Sequence, residues 1–160
     1  MEKTIDIHNY DKQLVSTLER MKSSKISDKN KAIIEKFGNN CFATGIGKPR
    51  VIKYVQTLKT LALWLKKDLE KATKEDIEKI VISIQQNNEY SEWTKKDFKV
   101  TLKKFYKWLK GNGEFPPEVK WLSTRLNRTK VKLPGQDGLL TEDDIKTLIA
   151  ASDHPRNKAL

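Results

Sequence analysis

Apolar residues recur at three- and four-residue spacing along almost the whole chain, the period of amphipathic helices. Leu14, Val15, Leu18 and Met21 predict a helix from Asn9 to about Ser23. Ser27 is a candidate N-cap for a helix reaching about Phe42, with Ala32, Ile33, Ile34 and Phe37 as its apolar set and Gly45 and Gly47 closing the segment. Pro49 stands where a first-turn proline is favoured. It opens a helix to about Lys66 whose stripe is Val51, Tyr54, Val55, Leu58, Ala62 and Leu65. Thr73-Lys74-Glu75-Asp76 resembles a capping box with Asp in the Glu/Gln position. It precedes Ile77, Ile80, Val81 and Ile84, and Asn87-Asn88 ends that helix. A further helix begins at Thr94 or Ser91 and stops at Gly111-Asn112-Gly113. A short helical turn runs from Pro117 to Leu122, and Thr141 to Asp144 forms a second capping signal before Ile145, Leu148 and Ile149. No stretch alternates apolar and polar residues as a strand would. The expected fold is therefore all-α: a compact bundle of about four to six helices, then a linker and a C-terminal helix.

Charge divides the chain further. Its 160 residues carry 32 Lys+Arg against 21 Asp+Glu, a net charge of +11. Residues 48–110 hold 16 basic and 8 acidic groups, so +8 of the excess lies in the middle. Residues 123–138 have little apolar periodicity, contain Pro134, Gly135 and Gly138, and carry Arg125, Arg128, Lys130 and Lys132. They read as an extended basic linker. The expected organisation is a helical domain at 1–122, this linker, and a different domain starting at 139–160.

Composition removes several classes of function. The longest clean apolar run, Leu61 to Leu65, falls far short of the roughly 20 residues of a membrane span. The first residues, Met1 to Asp6, have no apolar signal core. Cys41 is the only cysteine, which excludes an intrachain disulfide and a cysteine-built zinc site and fits a reducing, cytoplasmic setting. A net charge of this sign and size points to a polyanion, most often nucleic acid.

The segment from Thr94 to Lys110 sharpens that reading. At 100° per residue, Phe98, Leu102, Phe105, Tyr106 and Leu109 fall on one side. Lys96, Lys99, Lys103, Lys107 and Lys110 fall opposite, with Lys95 and Lys104 flanking the apolar stripe. Like charges at i,i+4 repel, so a helix shaped only for stability would intersperse glutamates. Phosphate binding accounts for the pattern, each lysine neutralising a phosphate and releasing counterions. The alternative is a solubilising surface. On the Pro49–Lys66 helix, Lys53, Gln56, Thr57 and Thr60 are expected to face outward, with Arg50 and Lys48 near its start. Gln, Arg and Thr are side chains that read base edges in a major groove, although an ordinary polar surface has the same look. The candidate DNA-binding residues are thus Lys48, Arg50, Lys53, Gln56, Thr57, Lys95, Lys96, Lys99, Lys103, Lys107, Arg125, Arg128 and Lys130.

No catalytic or metal site emerges. There is no phosphate loop and no H-E-x-x-H helix. His8 and His154 lie in terminal regions without a partner motif, and Cys41 reads as a buried structural thiol. Glu75, Asp76 and Glu78 complement a helix dipole rather than forming an acid/base pair. The four tryptophans, Trp64, Trp93, Trp108 and Trp121, are expected to pack the core or its edges, with base stacking as the lesser alternative. No cofactor is implied.

The order of motifs resembles the N-terminal half of a tyrosine recombinase of the phage-integrase family, especially the archaeal-type integrases. Lys48-Pro49-Arg50-Val51-Ile52-Lys53-Tyr54, continuing to Leu58, Leu61 and Leu65, is similar to a helix of the family's core-binding, SAM-like domain. Thr101 to Leu109 is similar to its "lk-Fy-kWL" helix. Pro134 with Leu139 to Leu148, and then Pro155 to Leu160, are similar to the start of the catalytic domain. The resemblance implies binding of double-stranded DNA in a clamp, a catalytic domain as partner, and a protein tetramer on DNA, with no external cofactor. It places the catalytic arginine and nucleophilic tyrosine beyond these residues. Tyr10, Tyr54, Tyr90 and Tyr106 all stand in the wrong part of the pattern, so the chain is expected to be a catalytically silent piece of a strand-cutting and rejoining enzyme. A stand-alone helical DNA-binding regulator and a basic protein-interaction module are the competing readings.

Overall fold

The computed structural model describes residues 8–110, 113–126 and 139–151. Every regular element among them is helical: α1 (Tyr10–Lys22), α2 (Asp28–Ala43), α3 (Lys48–Leu65), α4 (Lys74–Gln86), α5 (Glu92–Lys110), α6 (Pro117–Lys120) and α7 (Glu142–Ala150), with a 3₁₀ turn at Leu69–Lys71. Elements α1 to α6 belong to one compact unit, residues 1–127, and α7 to a second, residues 128–160.

Local chemistry sets most of the boundaries. The Ser27 hydroxyl accepts the Asn30 N–H at 3.2 Å and so caps α2. Thr73 and Asp76 form a reciprocal capping box at the start of α4. Ser91 is the true start of α5, its hydroxyl accepting the Thr94 N–H at 3.1 Å. α2 ends in a Schellman motif. Gly45, at φ 80°, donates to the Phe42 carbonyl, and Ile46 donates to that of Cys41. Only a residue free to adopt positive φ closes the helix this way without strain. Ile46 then packs against the core and turns the chain toward α3.

α3 is the central helix, with α1, α2, α4 and α5 all packed on it, while α6 bridges α4 and α5. The core is continuous from Met21 and Ile34 through Val51, Leu58 and Leu61 to Ile77, Ile84, Leu102 and Phe105. Phe37 is its aromatic hub, edge-on to Phe105 at 5.4 Å between ring centroids and within 6 Å of Tyr54 and Trp108. Cys41 is buried beside this cluster, and burial pushes its thiol above the usual range.

The turn at Leu69–Lys71 has no amphipathic period to announce it. Long-range polar contacts build it instead. The buried Asn30 amide donates to the Lys67 carbonyl at 3.0 Å and accepts from the Leu69 N–H at 2.8 Å. The Tyr106 hydroxyl donates to the Leu69 carbonyl at 2.9 Å. Burial, reinforced by the Glu118 and Asp76 charges, pushes that phenol above its ordinary pKa. Leu69 is thereby fixed in the core.

In the second unit, Thr141 and Asp144 form a capping box for α7 like that of α4. No residue of α7 is buried, and Leu139, Leu140, Ile145 and Leu148 are exposed.

Candidate nucleic-acid interface

α3 and α5 pack against each other, and their N-terminal halves enclose an open groove of about 780 Å³. Gly47, Pro49, Arg50 and Lys53 line it from α3 and its cap, and Trp93, Lys96, Asp97 and Val100 from α5. The first turn of α3 carries no acidic residue, so its N–H groups add to the positive field there. Lys53 forms an ion pair with Asp97 across the groove. The Lys96 ammonium lies 5.1 Å from the Trp93 ring centroid. Farther along α5, Lys104 is exposed and lies 5.9 Å from the ring of Tyr54 on α3. Exposed Lys107 follows on the same side of the helix and borders the Phe115 ring at 5.1 Å. Arg50, Lys53 and Lys96 thus share one groove, opposed by Asp97 alone among its lining residues, and Lys104 and Lys107 are exposed farther along α5.

The expected lysine face of α5 needs correction. Lys95 and Lys99 are buried, 7% and 9% exposed. Lys95 pairs with Glu92 at 3.3 Å and donates to the Gln85 carbonyl at the end of α4 at 3.1 Å. Burial pushes the Lys99 ammonium below the usual lysine range. Lys103 donates to the Leu122 carbonyl at 3.0 Å and lies 4.4 Å from the Phe115 ring. Lys110 pairs with Glu118 of α6 at 3.2 Å. This side of α5 is therefore an internal seam that holds α4, α6 and residues 113–122. Its scarcity of glutamates has an internal explanation for three of these lysines, because the Gln85 and Leu122 carbonyls and Glu118 of neighbouring segments take the ammonium groups of Lys95, Lys103 and Lys110.

A sequence signal for the seam exists. Positions seven apart lie only about 20° apart around a helix. Lys95 is seven before Leu102, and Lys99 seven before Tyr106, and both partners are fully buried. The long lysine stems travel into the interior with them.

α3 also divides its polar residues. Arg50 and Lys53 face the groove, whereas the Gln56 amide donates to Thr17 of α1 at 3.3 Å, in a separate cleft lined by Arg20, Lys59 and Thr60. Gln56 is exposed, as its outward position predicts, but it faces this cleft beside α1 rather than the α3–α5 groove. Thr57 is half-buried, and Lys48 is exposed in an ion pair with Asp11 of α1. Arg125 is exposed in a non-helical segment, while Arg128 and Lys130 lie outside the described residues.

Three tryptophans have intramolecular roles. Trp64 stacks on Phe98, Trp108 packs on Phe37 and Phe105, and Trp121 donates to the Glu118 carbonyl. Among the described residues, no three His, Cys, Asp or Glu side chains gather as a metal site would require, and no helix is long and apolar enough to cross a membrane. No protein-family model, curated protein or solved structure matches the chain.

Proposed function

We propose that this chain binds duplex DNA through the α3–α5 groove, and that it does so as the core-binding half of a site-specific tyrosine recombinase of the integrase family. One observation carries the DNA-binding reading: Arg50 and Lys53 from one helix and Lys96 from another converge on a single open groove, and Lys104 and Lys107 extend it. Convergence from separate elements is what distinguishes a binding track from scattered solubilising charge. In this reading phosphate contacts along it set the register of the DNA, and Arg50 is the side chain assigned to a base edge. The recombinase role rests on the motif resemblance of Lys48–Tyr54, Thr101–Leu109, Leu139–Leu148 and Pro155–Leu160. In that role the chain positions DNA for strand exchange, and the chemistry belongs to the catalytic domain of a tetramer assembled on DNA.

The test is a titration of fluorescent duplex DNA at two salt concentrations, with wild type beside Arg50→Glu/Lys96→Glu/Lys104→Glu. With Lys53 held by Asp97, four phosphates neutralised give a log–log salt slope of about −3.6, or a loss of about 150-fold between about 50 and about 200 mM. The triple variant keeps its thermal stability and loses binding by at least about a hundredfold. A flat salt response, or equal binding by both proteins, overturns the reading and favours docking to an acidic protein. Lys99 is unsuited to this test, because its substitution mixes folding with binding.

A further inference from the structure

We propose that Trp93 is a stacking platform for an unpaired nucleobase, so that the α3–α5 groove favours DNA with locally single-stranded nucleotides over a continuous duplex. The proposal rests on that groove being the DNA site. Trp93 is 55% exposed, whereas each of the other tryptophans is engaged with a ring or a carbonyl of the chain. Among the described residues no second ring packs on it; its neighbour is the Lys96 ammonium. It lies in the same groove as Arg50 and Lys53, with Val100 continuing the apolar surface.

A continuous duplex has little use for such a ring. Its phosphates and groove edges face the protein, and the flat faces of its bases are covered by their neighbours in the stack. Arg50 and Lys96 satisfy the backbone, but an indole in their midst matches only an uncovered base face. Cationic grooves with aromatic platforms are the general solution for unpaired strands, because every base has a π-face. The volume of about 780 Å³ lies within the roughly 300–1,000 Å³ typical of small-molecule pockets, which gives room for a base turned out of its stack. Lys96 then serves twice, polarising the ring from its own side and meeting the phosphate beside the stacked base.

The experiment compares a continuous duplex with the same duplex carrying a short gap that contains 2-aminopurine, at one salt concentration. The proteins are wild type, Trp93→Ala, Trp93→Phe and, as a control, the exposed Trp121→Ala. Wild type and Trp121→Ala bind the gapped DNA between about fivefold and about a hundredfold more tightly than the duplex, and they quench 2-aminopurine. Trp93→Ala loses both the preference and the quenching, its gapped-to-duplex affinity ratio falling to about one, and Trp93→Phe retains part of each. A gap preference and quenching that survive in Trp93→Ala, or wild type without a gap preference, overturn the stacking role and leave duplex binding intact. Absence of salt-sensitive binding to either DNA overturns both the groove reading and this one.

Discussion

Two adjacent lysines on α5 show how one residue type serves opposite ends. Lys95 is buried, its ammonium held by Glu92 and the Gln85 carbonyl, and it fastens α5 to the end of α4. Lys96, one position on and about 100° round the helix, stands in the groove over Trp93. The same division runs along the helix, with Lys99 and Lys103 on the packed side and Lys104 and Lys107 on the open one. A lysine-rich helix is therefore not one basic surface. What each ammonium does depends on the element opposite it, because an ammonium in contact with a carbonyl is an internal donor and one facing water is free for a phosphate.

The largest effect expected from this division is on Lys95→Glu. It places a second carboxylate beside Glu92 and against the Gln85 carbonyl, in a site closed to water, at a cost of about 3 kcal/mol or more. Lys96→Glu costs under about 1 kcal/mol. Chemical denaturation of both variants checks the contrast, and equal midpoints would break it. Next in size is Lys103→Met, which keeps the stem but leaves the Leu122 carbonyl without its donor, for about 1 kcal/mol. Faster hydrogen exchange confined to residues 113–122 and the facing part of α5 is the expected signature.

Asp97→Asn tests the open side. Asp97 holds Lys53 across the groove, and releasing it makes one more cation available to phosphate. DNA affinity rises about five- to tenfold near 0.1 M salt, with a steeper salt slope. Unchanged affinity in the same titration would show that Lys53 does not meet the backbone.

The smallest effect carries a pH signature. Folding lowers the Lys99 pKa through burial, so between the folded and unfolded values the unfolded chain binds more protons and stability rises with pH. Lys99→Met removes that penalty. It gains under about 1 kcal/mol at neutral pH, and its advantage over wild type shrinks as pH climbs through the lysine range. Tyr106 acts with the opposite sign, since its folded pKa is raised and stability falls once the unfolded phenol begins to ionise. Both proteins share Tyr106, so the difference between their stability–pH curves isolates Lys99. An advantage that is constant with pH would show that Lys99 is not strained by burial.

The helices were legible because their signals are local. Ser27, Thr73 and Thr141 each stand three residues before the N–H they cap, and the apolar stripes of α3 and α4 return every turn. The turn at Leu69–Lys71 was not legible, since Asn30 and Tyr106, both 37 or more positions away, provide its partners. The candidate site was half legible. Arg50, Lys53 and Lys96 were singled out by charge and spacing and do share a groove. Lys95 and Lys99 carried the same signal and were taken up by α4 and the core, and exposed Gln56 lies in a separate cleft beside α1.

By itself the sequence determined an all-helical chain, the caps that start its helices, the concentration of positive charge in residues 48–110, and a lone cysteine suited to the interior. Those properties follow from contacts within a few residues or from counting, and no other part of the chain can change them. Tertiary structure decided which lysines remain free, which tryptophan stays uncovered, and that α3 and α5 open a groove between their N-terminal halves. Each of these depends on what packs opposite a side chain. The two capping boxes show the limit: Thr73–Asp76 and Thr141–Asp144 start helices in the same way, yet α4 buries four aliphatic residues and α7 buries none.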